Sequence, residues 1–191
     1  MRLYLIRHAR PLVKDGVCYG RSDLRVDEAH QRQVLSQLLP VLPKGASVFA
    51  SPLLRCRVLG FALAHALDAG QPVFDARLAE MDFGTWELQS WDAIPRTEID
   101  AWANDLPHYR PGGGECLLEV ARRVKSFHDE MCAQQNAAVV VAHAGTIRLL
   151  RAATQCGSVE EMVSIAASTP HRIAYGEMTT IDCQTNNKYG K

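Results

Sequence analysis

Three short apolar runs in this chain each lead directly into side chains capable of acid–base or anion chemistry. Leu3-Tyr4-Leu5-Ile6 leads into Arg7-His8. Val48-Phe49-Ala50 leads into Ser51-Pro52, with Arg55 just beyond, and Ala138–Ala142 leads into His143-Ala144-Gly145. Arg7 is costly to bury unless something anionic pairs with it. A cationic neighbour also lowers a histidine pKa, which keeps a neutral, nucleophilic ring nitrogen available on His8. Arg55 falls in the first turn of a helix, where unpaired N–H groups and the macrodipole already favour anions. A negative partner is expected there; the plainer reading is a surface arginine bonded to a nearby carboxylate. Small residues after His143 would let a phosphate oxygen approach the backbone closely. One histidine after a strand is usually a satisfied core group. Two in matching contexts, beside two arginines, indicate one cationic pocket suited to an anion such as phosphate.

Zinc on His8, His143 and an acid is the competing arrangement. Arg7 and Arg55 would then place fixed positive charge beside a dication, and no HExxH or comparable ligand spacing occurs. No metal or other cofactor is expected. The cysteines (Cys18, Cys56, Cys116, Cys132, Cys156, Cys183) are scattered without a CxxC pair, which fits neither a zinc ribbon nor a disulfide scaffold. Reduced thiols in a cytoplasmic protein are the simpler expectation.

The elements that must position these groups follow from pattern. Each apolar run reads as a buried parallel strand, and in open α/β sheets ligands bind beyond the carboxyl ends of the strands. Residues 27–39 read as a helix ended by Pro40 and Pro43, and 53–67 as a second one, capped by Ser51. That second helix presents Leu54, Val58, Phe61, Ala62 and His65 as its stripe. Val73-Phe74 is a short strand, and Glu115 opens a helix to about 134 with Leu118, Val120, Ala121, Val124, Phe127 and Met131 buried. Residues 145–154 form another helix, and Met178–Asp182 a last strand. Alternating strands and helices predict a three-layer α/β/α sandwich with a mostly parallel central sheet. We expect a single domain over 1–183, a loop-rich cover at about 76–114 and a polar tail at 184–191.

Composition narrows the partners. The 191 residues carry no formal net charge, so no basic surface argues for nucleic acid. The longest apolar stretches are far too short to span a bilayer, and no signal-peptide pattern opens the chain. A small-molecule partner is expected, with the protein a monomer or a homodimer.

The residues also resemble a known family. Leu5-Ile6-Arg7-His8-Ala9 is similar to the RHG signature of the histidine phosphatase (phosphoglycerate mutase-like) superfamily. The remaining motifs follow in order: Ala50-Ser51-Pro52-Leu53-Leu54-Arg55, the segment from Leu78 to Glu87, Pro111 to Glu115, and Val141 to Arg148. Within the superfamily, length and the 78–87 segment look most like the α-ribazole phosphatase branch of cobalamin assembly. The resemblance implies His8 as the nucleophile that becomes phosphohistidine, and Arg7, Arg55 and His143 as ligands of the phosphoryl oxygens. It implies Glu80 as general acid, with Arg21 and Glu115 flanking the entrance. Trp86, Trp91, Trp102 and Tyr109 are candidates to stack on an aromatic base, although packing of the 76–114 segment is the expected role for at least two of them. The implied reaction is metal-independent phosphomonoester hydrolysis. A broad-specificity phosphatase, a mutase that retains phosphate, and a catalytically silent phosphate-binding module are the alternatives. Departures from the pattern include Ala9 for the usual glycine, Arg10-Pro11 after it, Lys14, Leu59 for a usual hydroxyl, and Ala144 for a glycine. None of them removes a group expected to do chemistry.

Overall fold

A computed structural model describes residues 1–134, 136–169 and 172–183; the expected polar tail at 184–191 lies outside them. In chain order the elements are β1 (Arg2–Arg7), α1 (Glu28–Leu38), β2 (Ser47–Ala50), α2 (Leu54–Ala66), β3 (Val73–Phe74), α3 (Arg96–Asn104), α4 (Leu117–Cys132), β4 (Ala138–Ala142), α5 (Ala144–Ala153), α6 (Val159–Ser168) and β5 (Met178–Asp182). The strands form one sheet in the order β3-β2-β4-β1-β5. All pairs are parallel except β1–β5. The three strands that carry the chemical motifs are therefore the three contiguous central ones. Their register aligns Arg7 with Ala142 and Ala50 with Val141, so His8, Ser51 and His143 leave the sheet at nearly one level.

Period-two alternation divides the sheet between two cores. Leu3, Leu5, Ala138, Val140 and Ala142 face α4, α5 and α6. Ile6, Val48, Ala50, Val139 and Val141 face α1 and α2. Burial on both faces explains why these strands read as continuous apolar runs. Among the described residues no helix is long and apolar enough to cross a membrane.

Several local expectations are corrected. The buried side of α2 is Arg55, Cys56, Leu59, Gly60, Leu63 and Ala64, while Phe61 and His65 are exposed. The helix is apolar nearly all round, so periodicity alone could not choose its inner face. Ser51 is not its cap: Leu53 is the N-cap residue, and the Leu54 N–H donates to Asp23 Oδ1 at 2.5 Å. Glu115 stands before α4, which opens at a box formed by Cys116 and Glu119. The cover contains α3 and several 3-10 turns rather than loop alone. Its own small core joins Cys18, Trp86 and Ile94 to Phe83, Ile99, Trp102 and Tyr109. The cover closes on itself where two backbones cross at Gly84 and Gly112. Gly112 has φ +56°, and a Cβ there would lie 2.3 Å from the Phe83 carbonyl oxygen.

Candidate active site

His8 follows the last residue of β1 and is 2% exposed. Its Nδ1 lies 2.7 Å from the Ala9 carbonyl oxygen. A carbonyl can only accept, so Nδ1 carries the proton and Nε2 keeps its lone pair. Burial, then the charges of Arg55 and Arg7, hold the His8 pKa well below the usual histidine value. The ring is thus a neutral base with a defined reactive nitrogen.

Arg55 is fully buried at the start of α2. Its Nε donates to His143 Nδ1 at 3.2 Å, and its terminal nitrogens donate to the carbonyls of Ser22 and Gly20 at 2.7 and 2.5 Å. These acceptors are all neutral, so the guanidinium charge is oriented without being balanced by a carboxylate. Loop 20–22, which supplies the carbonyls, is gripped by Glu87. That carboxylate accepts from the N–H groups of Gly20, Arg21 and Ser22, and from Ser22 Oγ at 2.5 Å. Burial works against the Glu87 charge, but bonds from Ser22, Gly20, Phe83 and Arg21 outweigh it and hold the carboxyl below its ordinary range.

His143 begins α5 as its N-cap residue, its ring 5.1 Å from that of His8 between centroids. Because Arg55 donates to Nδ1, Nε2 carries the proton and donates to Ser51 Oγ at 2.8 Å. Burial, followed by Arg55 and His8, pushes its pKa well down. Arg7 donates to the Ile173 carbonyl at 2.6 Å and lies over the Tyr175 ring at 3.8 Å. Its Nε is buried with no hydrogen-bond partner among the described residues. Glu80 reaches the N-terminus of α5, where its Oε2 accepts from the Gly145 N–H at 3.1 Å. A Cβ on Gly145 would meet Glu80 Oε1 at 2.6 Å, so the small residue makes room for this carboxylate.

Arg7, His8, Arg55, Glu80 and His143 all line one cavity of about 690 Å³, whose other walls include Tyr19, Phe83, Trp91 and Trp102. Arg21, Glu115 and Trp86 are not among its lining residues. Arg21 points to solvent beside Asp82. Glu115 is paired with Arg123, which also binds the carbonyls of Arg77, Ala79 and Glu80. Trp86 is buried and donates through its indole N–H to Glu98 at 2.7 Å. Glu115 and Trp86 hold the surrounding loops, and Tyr109 packs beside Trp86. Pattern reading missed Tyr19 and Tyr175, whose hydroxyls are 2.6 Å apart across the two arginines, as well as Glu87. The tyrosines lie 156 positions apart and carry no local signal.

A mostly parallel sheet with two imidazoles and two guanidiniums converging beyond its carboxyl edge defines a class of phosphoryl-handling proteins. The chain belongs to the Histidine phosphatase superfamily (branch 1), whose family model matches residues 3–184. It is similar to a bifunctional protein of Mycobacterium tuberculosis, 32% identical over 166 residues, with 82% of this chain and 45% of that relative covered. The chain therefore spans less than half the length of that relative. It is 30% identical over 160 residues to an adenosylcobalamin/alpha-ribazole phosphatase of Escherichia coli, with 78% and 77% of the two chains covered. An alpha-ribazole phosphatase crystal structure from Shigella flexneri superposes with TM-score 0.76 at 28% identity, over 97% of this chain and 92% of that one.

Proposed function

We propose that this protein is a metal-independent phosphomonoesterase working through a phosphohistidine on His8, with α-ribazole 5′-phosphate as its substrate. The single observation that supports it best is the pairing of a neutral His8, whose Nε2 is free to attack, with a buried Arg55 whose hydrogen bonds among the described residues all go to neutral acceptors. His8 Nε2 attacks phosphorus in line, an N–P bond forms and the ester P–O bond breaks. Glu80 gives a proton to the leaving oxygen, then takes one from the water that cleaves the N–P bond and releases phosphate. Arg7, whose Nε has no partner among the described residues, and Arg55 hold the equatorial oxygens. His143 braces Arg55, and it joins the cradle when a dianion draws the Arg55 Nε–H away and favours a proton on Nδ1.

The aromatic half of the cavity supports the substrate assignment. Trp91 and Trp102 are stacked at 6.1 Å and 5° between planes, with Phe83 edge-on to both. Such a wall suits a flat base attached to the phosphorylated sugar. The relationship to alpha-ribazole phosphatases adds to this. Residues 1–183 would act as one catalytic domain, with 76–114 as its cover. A panel of α-ribazole phosphate, phosphoglycerates, sugar phosphates and nucleotides, run with and without chelator, tests the assignment. The highest kcat/KM on α-ribazole phosphate, unchanged by chelator, is expected. Equal turnover across the panel would overturn the substrate, and phosphate transfer without release would overturn hydrolysis.

A further inference from the structure

A second cluster of chemically capable side chains lies far from His8. His128, Cys132 and Cys183 each present a donor atom, and the three atoms lie within 4.8 Å of one another. His128 and Cys132 are four apart on α4, which puts them on one helix face. Cys183 follows β5, whose end pairs with Arg2 at the start of β1. The cluster therefore sits at the amino-terminal edge of the sheet, the six residues of β1, or about 20 Å, from His8.

The donor geometry is already organised. His128 Nδ1 lies 3.3 Å from Asp129 Oδ1, and since a carboxylate only accepts, Nδ1 carries the proton. The Nε2 lone pair is then left facing Cys132 Sγ at 3.4 Å. A carboxylate on the far nitrogen of a ligating histidine is the usual way to fix its tautomer and raise its basicity. Bonds of about 2.3 Å to sulfur and 2.0–2.1 Å to nitrogen imply tetrahedral ligand separations of roughly 3.5–3.8 Å. The cluster needs only a small contraction to meet them.

We propose that His128, Cys132 and Cys183 bind one thiophilic divalent ion of the zinc class, fastening the end of α4 to β5 and leaving a fourth position for water. Each thiol loses its proton to solvent as its sulfur bonds the ion, and nothing is oxidised or reduced. Access is available because Cys132 is half-buried and the Asp129 side chain is 54% exposed. Local spacing could not reveal the site, since the third ligand comes from another element 51 residues later in the chain than Cys132.

The test titrates the full, reduced, chelator-stripped protein with Zn²⁺ against a chromophoric chelator, and separately with Co²⁺. One equivalent is expected in the wild type and in His8→Ala, with a thiolate-to-cobalt charge-transfer band. Cys132→Ser/Cys183→Ser should abolish the tight equivalent, and Asp129→Asn, an exposed change that keeps the ligands, should weaken it about tenfold. Failure of the wild type to bind, loss of binding in His8→Ala, or binding undiminished by the double substitution would each overturn the site. If the double variant does not fold, the cobalt spectrum and Asp129→Asn still decide.

Discussion

At the level of single residues, the site depends on which nitrogen carries each proton. His8 offers Nε2 because its Nδ1–H donates to the Ala9 carbonyl, and it stays neutral because burial and two arginines disfavour its charged form. Its folded pKa lies below the ordinary 6.5. The acid limb of kcat/KM should accordingly fall below pH 6.5, and a limb at or above that value would contradict the account. The same depression makes the unfolded chain bind protons first, so each buried histidine withdraws stability as pH drops below 6.5. Arg55→Ala removes charge-assisted bonds worth roughly 1.5–3 kcal/mol each, so steady-state kinetics should show kcat/KM down by about one to two decades. Arg7, His8, Arg55 and His143 were legible in the sequence because each lies at a strand end or shortly after one. That Arg21, Glu115 and Trp86 stand outside the cavity lining was not, since nothing local distinguishes a charge at an entrance from one paired behind it.

At the level of elements, loop 20–22 and the cover set the precision of the pocket. Glu87 fastens the loop whose carbonyls orient Arg55. Glu87→Gln should lower stability by about 1.5–3 kcal/mol, read from denaturant unfolding, because a hydrogen-bonded charged group is lost. Its depressed folded pKa gives a sign as well. The contribution is present above the ordinary carboxyl value and fades as pH falls through the folded one, so the variant should lose less stability than wild type on acidification. Gly112→Ala forces a side chain into a left-handed position against Phe83 and should lower Tm by several degrees. The apolar buried face of α4 could be read from its periodicity, although the buried His128 beside it could not, and neither could the inner face of α2. A polar Arg55 and a small Gly60 lie on the inner side of α2, and Phe61 lies outside. Helix α6 went unread although Ser158 and Glu161 form a capping box at its start. That signal is short, and the weak pattern after it did not single it out.

At the level of the whole molecule, strand order is what turns three separate motifs into one site. Sequence pattern predicts parallel strands ending in Arg7-His8, Ser51 and His143, but only the order β2-β4-β1 makes those ends neighbours. The apolar runs are legible because both faces of the sheet are covered; the pairing of distant strands is not, because it is set by tertiary packing. The central claim is that His8, presented at that shared edge, takes the phosphoryl group covalently. Brief reaction with ³²P-labelled phosphomonoester followed by quenching tests it directly. Acid-labile, base-stable label is predicted on the wild-type protein and absent from His8→Ala, which should also lose turnover. Unlabelled wild type, together with turnover surviving in His8→Ala, would contradict it.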